Sequence, residues 1–299
     1  MTSNKIILPG SSNPELAKSI SETTEIPLVQ VEIENFPNKE TRLRILEDLT
    51  NKEVIIVQST GGKVDSYIVE LLLLADAAKR RGAKIVKAVL PWLGYSPQDK
   101  VFREGEPLSS EATIKALETA PIDEFVLIDL HSTIVEKMFS KPMTHLSAMP
   151  IFVEHFREKL NKNEWVSVAL DKGARERAHL FSQELDIPLV QFDKIRNKKT
   201  GDVTFINLEG DVNGKNVISF DDFAATGGTR IKASSILKEQ GATKYVDCVT
   251  HLLVPDTTTK FEKSDIDGIY ITNTIHLDKK YHTSKLKILD IGGLISRNI

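Results

Sequence analysis

The chain has 299 residues, 40% hydrophobic and 27% charged, with 39 basic against 42 acidic side chains and a formal charge of −3. At roughly 100–200 residues per domain this length suggests two domains, and the near-neutral balance excludes a polycation and argues against the broad basic surface that non-specific nucleic-acid binding needs. A single cysteine, Cys248, excludes an internal disulfide and a Cys-based zinc site and fits a reducing cytoplasm, while the longest apolar run, 68–75, is broken by Glu70 and predicts no membrane span.

Apolar runs of strand length alternate with stretches of helical spacing along the whole chain. In the first half, strands are predicted at 5–8, 28–33, 54–57, 85–90 and 125–128, and helices at 14–21 and 67–81. A polar stretch at 161–164 precedes a restart. There a strand is expected at 166–170, a helix at 173–185, strands at 189–192, 203–207 and 217–220, a helix at 227–239, and strands near 245–249, 269–272 and 286–288. The pattern is that of βαβ units, so each half is an open, mostly parallel sheet covered by helices, with a boundary near 145–165. Domains are accordingly expected at 1–150 and 151–299.

In such sheets ligands gather at the carboxyl ends of the strands, so residues just after each apolar run carry the chemistry. The sharpest case is Asp221-Asp222-Phe223-Ala224-Ala225-Thr226-Gly227-Gly228-Thr229, where a buried strand ends in two carboxylates and a small Gly-rich turn opens a helix. Such a turn aims backbone N–H groups at a phosphate, helped by the helix dipole. The adjacent carboxylates suit a vicinal diol. The alternative is an acidic strand end followed by a Thr/Gly helix cap.

Two further strands end in Asp129-Leu130-His131-Ser132 and Asp171-Lys172-Gly173. His131 and Asp171 are candidates to hold a divalent metal between them, although Asp171 could equally cap the helix that follows. Lys194 and Arg196, two apart on an extended segment, point the same way and could clamp a polyphosphate; the alternative is a solvated hairpin rim. No Walker A loop and no GxGxxG turn follows any strand.

Taken together, Ser12-Asn13-Pro14-Glu15-Leu16-Ala17, Gln58-Ser59-Thr60, Gly94-Tyr95, Gln98-Asp99-Lys100, Gly105-Glu106-Pro107-Leu108-Ser109, Asp129-Leu130-His131, Leu146-Ser147-Ala148, Asp171-Lys172-Gly173, Lys194-Ile195-Arg196, the 221–229 loop and Thr272-Asn273-Thr274-Ile275 resemble the ribose-phosphate diphosphokinase (phosphoribosyl pyrophosphate synthetase) family. The resemblance covers essentially the whole chain. It implies an α/β protein of two phosphoribosyltransferase-like domains, cytoplasmic and homo-oligomeric, built from dimers with a hexamer as the larger option. It also implies transfer of the diphosphoryl group of MgATP to ribose 5-phosphate, giving phosphoribosyl diphosphate and AMP.

Carried over position by position, Asp221, Asp222, Ala225, Thr226, Gly227, Gly228 and Thr229 would bind ribose 5-phosphate. Phe36, Asn38, Glu40, Gln98 and Asp99 would bind ATP, His131 and Asp171 would serve Mg²⁺, and Lys194, Arg196 and His131 would be catalytic. No nucleic acid or membrane is implied. The chain departs from the family pattern at Asn38 and Lys39, where the usual pair is Asp-Gly, at Pro97, usually Arg, and at Ala225, usually acidic or hydroxylic. Those departures keep open a non-catalytic regulatory paralogue, and the 221–229 loop, shared with the wider phosphoribosyltransferase group, keeps open a phosphoribosyltransferase that consumes phosphoribosyl diphosphate.

Overall fold

A computed structural model describes residues 4–196 and 203–299, with side chains outside 193–207. The chain divides into two compact units, one of Met1–Ser147, Asn273–His276 and Asp290–Ile299, the other of Ala148–Thr272 and Leu277–Leu289.

In the first unit the chain runs β1 (Lys5–Pro9), α1 (Pro14–Thr24), β2 (Val31–Asn35), β3 (Thr41–Ile45), β4 (Glu53–Val57), α2 (Val64–Arg80), β5 (Ile85–Leu90), α3 (Ser109–Thr119), β6 (Glu124–Ile128), α4 (Thr133–Glu136) and β7 (Met143–Leu146). Strands β1, β4, β5, β6 and β7 lie in that order in one sheet, and every pairing is parallel. Its strands are apolar on both faces, as parallel strands covered by helices must be. Ile56, Val86, Ala88 and Leu127 join Leu71, Leu74, Ala75 and Ala78 of α2 and Ile114 and Leu117 of α3 in one core.

The run expected as a strand at 28–33 splits. Leu28 makes only an isolated parallel bridge to Ile7, and β2 leaves the main sheet to pair with β3 as a separate antiparallel ribbon. Its turn holds one departure from the family pattern, Lys39. Lys39 N–H donates to Phe36 O (2.8 Å) and Phe36 N–H to Glu40 O (2.8 Å), with Lys39 left-handed at φ 76°. That is the three-residue hairpin loop whose αL position favours glycine.

The second unit runs α5 (Met149–Arg157), β8 (Trp165–Ala169), α6 (Arg175–Leu185), β9 (Leu189–Arg196), β10 (Val203–Glu209), β11 (Asn216–Ala224), α7 (Gly228–Glu239), β12 (Lys244–Leu252), α8 (Thr257–Glu262), β13 (Gly268–Thr272), a 3₁₀ turn at Lys279–Tyr281 and β14 (Leu286–Leu289). The sheet order is β10-β9-β8-β11-β12-β13-β14, parallel throughout except for the antiparallel β9–β10 edge. A last helix, α9 (Gly292–Ser296), returns to the first unit and packs on α1. Phe220 of β11 stacks on Phe181 of α6 with centroids 5.1 Å apart, which fixes the face that β11 turns to that helix.

Candidate functional site

The 221–229 loop grows directly from β11, which extends through Ala224 and so carries both carboxylates on the strand itself. Alternation puts Asp222 on the face shared with Phe220 and Asp221 on the face shared with Ser219. Asp222 is buried and Asp221 half-buried, both beside cations. Arg177 of α6 donates through Nη2 to Asp221 Oδ1 (2.9 Å) and Asp222 Oδ1 (3.0 Å), and Arg230 Nη2 reaches Asp221 Oδ2 at 3.2 Å. Burial pushes the Asp221 carboxyl up to about 7; Arg230 and Arg177 oppose that shift and the charge on Asp222 adds to it. Burial likewise opposes the charge of Arg230, but Asp247 and Asp221 outweigh it and hold its pKa above the ordinary value.

Beyond Ala224 the chain turns. Thr257 Oγ1 donates to Ala225 O (2.7 Å), and Leu253 N–H to Ala224 O (2.9 Å), so the turn is tied to the segment after β12. Gly227 sits at φ 73°, and a Cβ there would lie 2.5 Å from Phe261 Cε1. Only glycine fits this position. Gly228 faces open space, and α7 starts without a side-chain cap. The first N–H groups of a helix have no intrahelical acceptor, so this end presents donors and positive dipole to an anion. Thr226 is exposed and Thr229 half-buried beside them.

At the end of β8, Asp171 Oδ1 accepts the Ala174 N–H at 2.9 Å; this bond closes the turn before α6, whose own N-cap is Ala174 and has no side-chain cap, so Asp171 does not cap the helix as the alternative expected. Lys194 and Arg196 fall on the backbone of β9, opposite Phe205 and Val203 of β10; their side chains lie outside the described residues.

In the first unit, the loop after β6 holds His131. Asp129 takes φ 37°, a strained value for a residue with a side chain, and it is 8% exposed. Leu130 N–H donates to His145 Nε2 (2.9 Å), which puts the imidazole proton on Nδ1, 2.6 Å from Glu136 Oε1. Next to His131, Ser132 Oγ donates to Asp99 Oδ2 at 2.8 Å. Asp99 is thus tied to the loop that carries His131. Gln98 is exposed, with Oε1 accepting from Ser109 Oγ (2.6 Å) and its carbonyl from Ser110 Oγ (2.9 Å), which pins this loop to the start of α3.

Phe36, Asn38 and Glu40 cluster at the exposed tip of the β2–β3 ribbon, Phe36 being 46% exposed. Asn38 Oδ1 is turned inward to accept the Glu40 N–H (3.2 Å), a bond that an aspartate would make equally well.

Arg177, Arg230 and Asp247 escaped the sequence reading. Arg230 does leave a trace, because it opens the buried stripe Arg230, Ala233, Ser234, Leu237 of α7, where a core side chain belongs. Asp247 leaves another, as a lone carboxylate within the apolar run Tyr245 to Val249.

Residues 5–120 match the N-terminal domain of ribose phosphate pyrophosphokinase, and residues 175–299 match the phosphoribosyl synthetase-associated domain. A ribose-phosphate pyrophosphokinase from Fusobacterium nucleatum is 34% identical over 298 residues, which span 99% of this chain and 94% of that one. Another, from Caldanaerobacter subterraneus, is 32% identical over 299 residues, covering 100% of this chain and 94% of its relative. Among solved structures, phosphoribosylpyrophosphate synthetase from Mycobacterium smegmatis is similar with a TM-score of 0.89 at 27% identity, over 99% of this chain and 97% of that one.

Proposed function

The chain belongs to the ribose-phosphate pyrophosphokinase family, and from that premise we propose that it transfers the diphosphoryl group of MgATP to the 1-hydroxyl of ribose 5-phosphate. The products are phosphoribosyl diphosphate and AMP. The observation that carries this reading is the open, uncapped start of α7 directly after the Asp221–Asp222 pair. There the N–H groups of 227–229 and the Thr226 and Thr229 hydroxyls receive the 5-phosphate, while the acids accept from the ribose hydroxyls.

Phosphoryl transfer asks mainly for positioning and for charge stabilisation. Lys194 and Arg196 supply the latter, meeting the charge that develops on the transferred phosphates. Phe36, Asn38, Glu40, Gln98 and Asp99 bind the nucleotide.

Asp171 and His131 serve the metal. Among the described residues no group of three or more His, Cys, Asp or Glu stands ready to hold an ion. Mg²⁺ commonly binds through one or two carboxylates plus substrate phosphates, so the oxygen donors of Asp171 fit it, with the imidazole of His131 as the less usual partner. When bound, Mg²⁺ neutralises charge on the phosphates of ATP. A homo-oligomer in the cytoplasm is part of the same reading. Among the described residues no helix is long and apolar enough to cross a membrane.

Neither alternative reading is favoured. Full-length relatives named as the enzyme and the match at 5–120 both speak for the kinase. The nucleotide product decides the reaction: the protein with MgATP and ribose 5-phosphate should release AMP in step with phosphoribosyl diphosphate. Release of ADP would make it an ordinary kinase, and no nucleotide product would favour a regulatory paralogue.

A further inference from the structure

Beneath the acid pair lies a buried ionic chain that the reaction itself does not call for. Arg230 occupies a core position of α7 with its side chain 5% exposed. Its Nη2 donates to Phe223 O (3.0 Å) and Asp221 Oδ2 (3.2 Å), and its Nε forms an ion pair with Asp247 Oδ2 at 3.1 Å that lies outside hydrogen-bond geometry. Asp247 is fully buried, and its other oxygen accepts from Ser219 Oγ at 2.6 Å; that hydroxyl also meets Tyr245 OH at 2.9 Å. Ser219 stands opposite Asp247 in the β11–β12 register, and Asp221 follows two residues later on the same face. All these partners thus belong to the strand that ends in the loop or to its neighbour.

A buried ion pair is a poor source of stability, and apolar residues of similar volume commonly serve as well. What this one provides is direction. Arg177, by contrast, is 25% exposed and shares one nitrogen between the two acids, so it does not fix either alone.

On the reading that the loop binds ribose 5-phosphate, we infer that Arg230 is a positioning residue for that substrate. Anchored by Asp247, it holds the Asp221 carboxylate and the Phe223 carbonyl, and so sets both the direction of the acid and the backbone from which the 225–229 turn departs.

Arg230→Met alone leaves the Asp247 carboxylate without its cation, while Asp221 keeps Arg177, and should lower the melting temperature, so the deciding variant is the double Arg230→Met/Asp247→Leu, in which both buried charges go. Its melting temperature should recover most of the single variant's loss. Because a misplacement of about 1 Å can cost on the order of 100-fold, KM for ribose 5-phosphate should nevertheless stay raised about tenfold or more, with KM for ATP within about twofold of wild type. Arg230→Lys, which keeps the charge but loses the fork, should fall between wild type and the double variant in KM for ribose 5-phosphate.

A double variant with wild-type KM for ribose 5-phosphate overturns the inference. So does one that melts as early as Arg230→Met, or one in which both KM values rise together. Asp221→Ala separates the two levels of the argument. If it leaves KM for ribose 5-phosphate unchanged, the assignment of the loop itself fails; if it raises that KM while the double variant behaves as wild type, only the role of Arg230 fails.

Discussion

Each unit turns from the carboxyl end of a parallel strand into a helix, and the two turns end in opposite ways. After β1, Asn13 Oδ1 accepts the Leu16 N–H (3.3 Å) and Pro14 opens α1, while Ser11 gives its N–H and hydroxyl to the two oxygens of Glu70 at 2.7 and 2.6 Å. Glu70 is 4% exposed and also accepts from Gln58 Nε2 at 2.9 Å. The donors that would greet an anion there already hold the protein's own carboxylate. After β11, by contrast, Gly227 and Gly228 bring no cap, and the start of α7 is open. Similar architecture therefore yields a filled turn and a vacant-handed one, and what distinguishes them is which backbone donors are left uncommitted.

The largest effect should come from the cations assigned to the reacting phosphates. Lys194→Ala or Arg196→Ala should each lower kcat roughly 10²–10³-fold, as for loss of one transition-state donor, with ribose 5-phosphate binding preserved. Retained turnover would remove them from the chemistry. Next comes the open turn itself. Gly227→Ala places a Cβ 2.5 Å from Phe261 Cε1 in a left-handed residue, so its loop must move. KM for ribose 5-phosphate should rise by on the order of tenfold or more.

In the filled turn, Glu70→Ala strands the donors of Ser11 and Gln58 and should cost about 1–3 kcal/mol of stability in denaturant titration. KM for ribose 5-phosphate should not change, since this turn is already occupied. A comparable rise in that KM would erase the distinction between the two turns.

A separate effect is expected in pH. With Asp221 raised to about 7, the folded protein binds this proton more tightly than the unfolded chain does. The group therefore opposes folding increasingly as pH rises from about 4, the ordinary value for aspartate, to about 7. Wild type should lose stability relative to Asp221→Asn across that window, and parallel curves would show that Asp221 titrates normally.

Much of this contrast was legible in the sequence, because apolar runs mark parallel strands and glycines mark the open turn. Strand β5 coincides with its predicted range of 85–90. The β2–β3 ribbon was not legible, since its half-buried alternation imitates an edge strand and the cations of Thr41-Arg42-Leu43-Arg44-Ile45 hide its partner. Helix α3 and strand β7 were missed as well. In the site, the loop acids were visible, but their partners Arg177 and Arg230 belong to helices whose charged residues ordinarily face solvent. The helical spacing of Arg230 with Ala233, Ser234 and Leu237 hints at a core position, and its 5% side-chain exposure establishes it.

The most direct test is a binding titration of ribose 5-phosphate against wild type, Asp222→Ala and Glu70→Gln, followed by calorimetry. The expected result is one equivalent per chain for wild type and for Glu70→Gln, and binding weakened by about tenfold or more in Asp222→Ala, which loses an acceptor for the sugar hydroxyls. Two equivalents per chain in wild type, or unchanged affinity in Asp222→Ala, would contradict the assignment of the open turn as the site for ribose 5-phosphate.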